Sequence, residues 1–120
     1  MIVNQQVLDN FVTSIKTKYK NKIQELRIEY CQDELGDYIY LVCIKIKKSQ
    51  KNQGYGSLVM SEVVNLADSS SLRVKLWVTN IFGANIDRLY EFYKKHGFVL
   101  VRKDNDGHMI YFPGKTCRRL

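Results

Sequence analysis

The feature that most constrains this chain's fold is a strand, a glycine turn, a helix and a second strand in direct succession. The segment Tyr38 to Ile46 is apolar at nearly every position, which is typical of a strand covered on both faces. Gly54-Tyr55-Gly56 then opens a segment with helical apolar spacing as far as Ala67, and residues 73–78 alternate as in a strand. Two strands joined by a crossover helix pair in parallel, with a right-handed connection. We therefore expect a fold built around a parallel β-α-β unit.

The flanking segments complete a mixed α and β chain. They are predicted as a helix over 8–19, a strand over 22–30 that forms a hairpin with 38–46, a helix over 89–96 that Gly97 ends, and strands 98–102 and 108–112 around a turn at 104–107. The predicted order is α-β-β-α-β-α-β-β. A chain of 120 residues without linkers or repeats is expected to form one α+β domain over 1–120, with a central mixed sheet flanked by helices.

Charge and cysteine content narrow the class of protein. Lysine and arginine outnumber acidic residues 19 to 12, and the resulting net charge of +7 predicts attraction to partners that carry phosphate. The three cysteines, Cys31, Cys43 and Cys117, lack CxxC spacing, so neither a disulfide framework nor a zinc site is expected. Polar residues interrupt the N-terminus, and no apolar run is long enough to span a bilayer. We expect a cytoplasmic protein without a metal.

The glycine turn is the first candidate for a binding site. A helix begins with unpaired amides and a positive dipole end, and Gly54 and Gly56 would let a phosphate approach that main chain closely. The spacing does not fit a Walker loop. Val59 stands where a dinucleotide-binding loop needs its third glycine, so a simple nucleotide site is not indicated.

The loop resembles the pyrophosphate-binding motif of the GCN5-related N-acetyltransferases, Arg/Gln-x-x-Gly-x-Gly/Ala. Lys51 replaces the family's arginine or glutamine, which retains a positive charge but makes the phosphate contact less directional. The segment 89–98 is similar to the family's closing motif, with Tyr93 four residues before Gly97. The resemblance runs from about Tyr38 to Phe112. The front third is shorter than in a typical member, which begins with a strand and two helices.

This resemblance implies acetyl-CoA as co-substrate and assigns roles to particular positions. In the family, a loop of this kind binds the pyrophosphate, central-strand amides bind the pantetheine arm and polarise the acetyl carbonyl, and a tyrosine protonates the departing thiolate. Carried over, these positions are Lys51, Asn52, Gln53, Gly54, Tyr55, Gly56 and Ser57 in the loop, Cys43, Ile44 and Ile46 on the strand, and Tyr93 as the acid. Asn85 resembles the asparagine before the last helix, one residue further from the tyrosine than usual.

The general base stays open. Tyr40 stands where histone-modifying members carry a glutamate, and the nearest carboxylates, Asp37, Glu34 and Glu29, are more typical of solvated turn and strand-edge charges. The two histidines, His96 and His108, are expected to be structural or solvated. A covalent acyl-cysteine on Cys43 has no histidine near it in sequence, so direct transfer in a ternary complex is favoured.

Three classes of function remain. The leading one is transfer of an acetyl group from acetyl-CoA to a primary amine, such as a protein lysine or N-terminus. The alternative is a weak or inactive member that binds coenzyme A or a partner protein as a regulator. Nucleic-acid binding through Lys45–Lys51 and Lys115–Arg119 is less favoured, because basic residues are interleaved through all the elements. The short front end would leave an open acceptor groove, or one that a second subunit completes in a homodimer.

Overall fold

The computed structural model describes residues 3–78, 85–101 and 107–114, and it contains the predicted elements in the predicted order. The helices are α1 (Gln5–Lys18), α2 (Tyr55–Ser70) and α3 (Ile86–Lys95). The strands are β1 (Ile23–Asp33), β2 (Gly36–Ile46), β3 (Arg73–Trp77), β4 (Val99–Leu100) and β5 (His108–Tyr111), and one 3-10 turn covers Lys48–Gln50. The predicted turn at 104–107 lies outside the described residues except for Gly107.

The strands form one five-stranded sheet in the order β1-β2-β3-β5-β4. β2 and β3 are parallel, as the β-α-β pattern predicted, and the remaining neighbours are antiparallel. β4 begins one residue later than predicted because the Phe98 amide, in the turn after α3, donates to the Tyr93 carbonyl at 3.1 Å; residue 102 of the predicted strand lies outside the described residues. Gly97, with φ +96°, ends that helix as predicted.

The hydrophobic core lies where α1 and α2 cover the sheet. Asn4 begins α1 by accepting a hydrogen bond from the Val7 amide at 3.0 Å. The fully buried side chains come from both helices and from the strands beneath them, among them Leu8, Ile39, Val59, Met60, Val63, Val74 and Met109. Lys18 of α1 and Glu62 of α2 form an ion pair that joins the two helices. No helix in the described segments has the length and apolar character to cross a bilayer.

β2 changes its surroundings halfway along. Its pairing with β3 covers only Tyr38 to Tyr40, whereas its pairing with β1 continues to Ile46. A β-bulge leaves Val42 as an extra residue opposite Arg27 and Ile28. The prediction of a strand covered on both faces is wrong, because only Ile39 and Leu41 of β2 are buried, while Tyr38, Tyr40 and residues 42–46 are half-buried. The pairing register between β2 and β3 ends at Tyr40 and Lys75, and beyond these residues a gap separates the two strands.

Candidate functional site

A cleft with a volume of about 700 Å³ occupies the gap between β2 and β3. Its lining combines the second half of β2, the loop before α2, the first turn of α2, the end of β3 and one side of α3. Every coenzyme-binding residue predicted from the sequence lines it, with the exception of Gln53: Cys43, Ile44, Ile46, Lys51, Asn52, Gly54, Tyr55, Gly56, Ser57, Asn85 and Tyr93. Two motifs about 35 residues apart in sequence thus face one cavity.

Sequence reasoning missed several residues of the lining. They are Val42, Lys45, Gln50, Trp77, Val78, Arg88, Leu89 and Phe92. Arg88, Leu89 and Phe92 lie within one or two helical turns of Asn85 and Tyr93, so helical spacing was a usable signal for them. Nothing in the sequence marked the bulge at Val42 or the end of the β2–β3 pairing.

The start of α2 presents free backbone amides to the cleft. Gly54 is the residue before the helix, with φ +85° and ψ 3°, and no side chain caps this end. The first helical hydrogen bond joins the Leu58 amide to the Gly54 carbonyl at 3.1 Å, so the amides of Tyr55, Gly56 and Ser57 lack partners within the helix. The first turn contains no acidic residue. This geometry suits an anion such as a phosphate.

Positive charge surrounds the same helix end. Lys45, Lys51 and Arg88 line the cleft, and no aspartate or glutamate is found among its described lining residues. Lys22, from the turn between α1 and β1, places its ammonium 5.4 Å from the centre of the Tyr55 ring. Its approach to the loop had no signal in the sequence, because the turn between α1 and β1 is remote from the loop along the chain.

α3 packs closely against the start of α2. A Cβ atom built on Gly56 would lie 3.5 Å from Cζ of Phe92 and 4.0 Å from Cγ1 of Ile46. His96, at the end of α3, has its Nε2 3.3 Å from the Ser57 Oγ. These contacts fix the separation of the two helices and hence the width of the cleft at its loop end.

Tyr93 faces the cleft from α3. Its ring makes edge contacts with Phe92 and Phe98, at centroid distances of 5.2 and 5.8 Å. Its hydroxyl makes no hydrogen bond to any residue that the structure describes. Burial, with a smaller effect from nearby Cys43, raises the pKa of Tyr93 to about 12. At neutral pH the phenol is therefore a proton donor without a protein acceptor in the described segments.

Cys43 shares this part of the cleft and is held in its thiol form. Burial is the main cause that raises its pKa, and the nearby Glu25 carboxylate adds to the shift. A protonated thiol is a poor nucleophile, so the electrostatics disfavour a covalent acyl-cysteine.

The carboxylates considered as bases lie away from the cleft lining. Asp37 accepts hydrogen bonds from the Tyr30 hydroxyl and, at 2.8 Å, from the Gln32 amide. Glu29 pairs with Arg27 at 3.3 Å, and Glu34 is exposed in the β1–β2 turn. All three are charges of the β1–β2 hairpin.

Three rings from neighbouring strands β2, β3 and β5 contact one another beside the cleft. Trp77, which lines the cleft, meets the Tyr40 ring edge-on at 5.4 Å. The His108 imidazole stacks on the same indole at 4.3 Å, with only 3° between the two planes. Within the described segments, no group of three or more histidine, cysteine or acidic side chains is arranged to hold a metal ion.

Comparison by sequence identifies no relative: no protein-family model matches the chain, and no curated protein matches it significantly. Comparison by structure does find similar folds. One is AtaTR bound with acetyl-CoA, with a TM-score of 0.57 and 18% identity, where the match covers 72% of this chain and 55% of that one. A mutant AtaT toxin, bound to the C-terminus of the antitoxin AtaR and to acetyl-CoA, gives a TM-score of 0.52 at 17% identity, with coverage of 72% and 55%.

The KacTA–DNA complex also matches, with a TM-score of 0.53 and 17% identity, over 89% of this chain and 79% of that one. The chain spans just over half the length of the AtaT chains that it matches. At identities this low the likeness concerns the fold. Together with the strand order and the cleft, it confirms the fold that the two sequence motifs predicted: the chain has the fold of the GCN5-related N-acetyltransferases.

Proposed function

We propose that this protein is an N-acetyltransferase that moves an acetyl group from acetyl-CoA to a primary amine. The observation that carries the proposal is the cleft itself, which has lysines and the amides of the first turn of α2 at one end and the protonated phenol of Tyr93 facing it from α3. Acetyl-CoA has the matching groups, a pyrophosphate and a thioester joined by a narrow pantetheine arm. AtaT structures of similar fold contain acetyl-CoA, which supports the choice of ligand.

In the proposed complex, the amides of Tyr55, Gly56 and Ser57 bind the pyrophosphate, with Lys51 as an additional cation. The pantetheine arm lies along residues 43–46, whose edge is not paired with β3. A strand amide in this stretch polarises the acetyl carbonyl and stabilises the oxyanion that forms on it.

The reaction proceeds by direct attack. The neutral amine adds to the carbonyl carbon, the C–S bond breaks, and the coenzyme thiolate receives a proton from the Tyr93 hydroxyl. The acceptor nitrogen loses its proton to water at the open mouth of the cleft, and Tyr93 is reprotonated from solvent. A lysine amine, with a pKa near 10.4, would need roughly 4 to 5 kcal/mol to be deprotonated at neutral pH, so only a small fraction of a lysine acceptor is ready to attack.

The release of coenzyme thiol tests this activity. We expect acetyl-CoA to be consumed in the presence of a cell lysate, with stoichiometric acetylated amine detected by mass spectrometry. Hydrolysis without an acetylated product would contradict the proposal.

A second candidate function is a coenzyme-binding or partner-binding regulator with little activity. The absence of a carboxylate from the described cleft lining favours it. An antitoxin is bound to AtaT, so a partner protein is a reasonable class of ligand for a chain of similar fold. The DNA complex of AtaT also contains AtaR, which gives no separate support for DNA binding by this chain. Saturable coenzyme binding with no product from any amine would select the regulator.

A further inference from the structure

His96 lies beside the predicted phosphate site but belongs to another element. It is the residue that ends α3, and its backbone amide donates to the Tyr93 carbonyl at 3.0 Å. Its ring approaches α2, where Nε2 is 3.3 Å from the Ser57 Oγ, and it meets the Phe92 ring at 5.0 Å. Ser57 itself lines the cleft at the third position of α2. One hydroxyl therefore connects the imidazole with the place where phosphate is expected.

The surroundings of His96 keep the ring neutral while the cleft is empty. Burial lowers its pKa, and the ammonium of Lys95, on its own helix, lowers it further. From α2, the contact is the uncharged Ser57 hydroxyl, and from α3 it is the Phe92 ring. No carboxylate in the described part of the chain contributes to its pKa.

A neutral imidazole and a phosphate compete for the same hydroxyl proton. If Nε2 accepts from Ser57, the hydroxyl cannot donate to a ligand in the cleft. If Nε2 instead carries a proton, it donates to Ser57 Oγ, and the Ser57 hydrogen is free to turn toward the phosphate. A protonated ring also adds a positive charge near a di-anionic pyrophosphate, which strengthens both interactions.

We propose that His96 is a positioning residue for the coenzyme, which orients the Ser57 hydroxyl and takes up a proton when the pyrophosphate binds. This inference rests on the proposed function, since it requires a coenzyme in the cleft. It adds a proton-linked step that neither sequence motif contains. Coenzyme affinity should increase as the pH falls from 8 to 6, because His96 is protonated to a greater extent in the bound complex than in the free protein.

Calorimetric titration with coenzyme A between pH 6 and pH 8 tests the proposal, with wild type and His96→Gln compared in the same buffers. We assume that the pKa of His96 rises by about one unit on binding. The gain in coenzyme affinity between pH 8 and pH 6 should then be larger in the wild type than in His96→Gln, by a factor of up to about ten. The coenzyme's own phosphate titrates near pH 6, but it does so equally in both proteins. Repeating the titration in buffers with different ionisation enthalpies should show more proton uptake by the wild type than by His96→Gln, because the contribution of the coenzyme's phosphate is common to both.

Two further variants keep the test decisive. Ser57→Ala removes the hydrogen-bonded link but keeps the imidazole and its charge, so it should lose part of the wild-type pH dependence even if His96→Gln fails to fold. Lys95→Gln removes a cation that opposes protonation, so it should move the pH dependence to higher pH. Parallel affinity curves for wild type, His96→Gln and Ser57→Ala would overturn the role of His96 alone. No binding by the wild type at any pH would overturn the proposed function as well.

Discussion

Tyr93 is the residue with the most specific proposed role, that of the general acid. The motif around Gly97 singled it out, and the structure places it in the cleft with a raised pKa. A phenol with a pKa of about 12 holds its proton throughout the physiological range and gives it up only to a strong base. An alkyl thiolate is a weaker base than this phenolate, since a thiol has a pKa of about 8.5, so the proposed proton transfer from Tyr93 to the coenzyme thiolate is uphill by roughly 5 kcal/mol.

Replacing Tyr93 with Phe tests this role. We expect turnover to fall by about 10²- to 10⁴-fold, the usual contribution of a general acid, while the coenzyme dissociation constant changes less than about threefold. Steady-state kinetics and calorimetric titration would measure the two effects. Tyr90→Phe is the matched control, because Tyr90 is a half-buried tyrosine of the same helix that does not line the cleft.

Equal turnover in wild type and Tyr93→Phe would remove Tyr93 from the acid role. The pH profile offers an independent check on the same residue. Because its pKa is raised, the protonated form persists above the ordinary value of 10, so Tyr93 should cause no loss of rate between pH 8 and pH 10.

The two glycines of the loop have different physical reasons to be glycine. Gly54 has φ +85° with open space around it, so alanine there would be strained by its backbone alone. Gly56 has no positive φ, and an added Cβ would make ordinary contacts with Phe92 and Ile46. The sequence motif predicts a phosphate-binding role for both glycines. It does not distinguish the backbone requirement at Gly54 from the packing at Gly56.

We therefore predict opposite effects on stability for the two alanine variants. Gly54→Ala should lower the free energy of unfolding by about 1 to 2 kcal/mol, the cost of a left-handed conformation for an L-residue. Gly56→Ala should leave it unchanged or raise it by up to about 1 kcal/mol, because alanine is the better helix former. Urea unfolding measures both. A loss of stability in Gly56→Ala equal to that in Gly54→Ala would contradict the prediction that Phe92 and Ile46 leave room for a Cβ atom at position 56.

At the scale of elements, an ionic cluster ties the β1–β2 hairpin to β3. Asp33 accepts two hydrogen bonds from the Arg73 guanidinium, at 2.7 and 2.9 Å, and one from Lys75. The two cations also lie against the Tyr38 ring, with Lys75 4.4 Å from its centre. Since β2 and β3 pair over only three residues, this cluster reinforces the closed end of the cleft.

The hydrogen bonds from Arg73 and Lys75 hold the pKa of Asp33 well below its usual range. A carboxyl whose pKa is lower in the folded state adds to the free energy of unfolding at pH values above its pKa in the unfolded chain, about 3.9. This contribution is lost progressively as the pH falls below that value toward the pKa of the folded state. Asp33→Asn should therefore lower the Tm at pH 7, and the difference from wild type should shrink toward pH 3. Thermal unfolding followed by circular dichroism gives both values. A Tm difference that does not depend on pH would contradict the ionic explanation.

For the whole molecule, the order of elements could be read from the sequence because the apolar periods of helix and strand are distinct. The β-α-β unit gave the parallel pairing, and Gly97 marked the end of α3. The sheet order beyond this unit could not be read, since β5 lies between β3 and β4 through contacts that have no local signal. β4 was predicted as a strand over 98–102, but nothing in its periodicity indicated that its pairing with β5 would cover only Val99 and Leu100.

The candidate site was predictable to the extent that it consists of motifs. The loop and Tyr93 were found because their spacing resembles a family pattern. The cleft depends on where β2 and β3 stop pairing and on the bulge at Val42, which are properties of the assembled sheet. Lys22 was missed for the same reason. It is remote from Tyr55 along the chain, and the two residues come into contact only when the chain folds.

The proposed activity requires that the cleft between β2 and β3 binds acetyl-CoA. Isothermal titration of the purified protein with acetyl-CoA tests it most directly. We predict saturable binding at one site per chain, with a dissociation constant on the order of micromolar to high micromolar that weakens with added salt because phosphates are bound by cations and helix amides. No binding up to about 1 mM acetyl-CoA would contradict the claim.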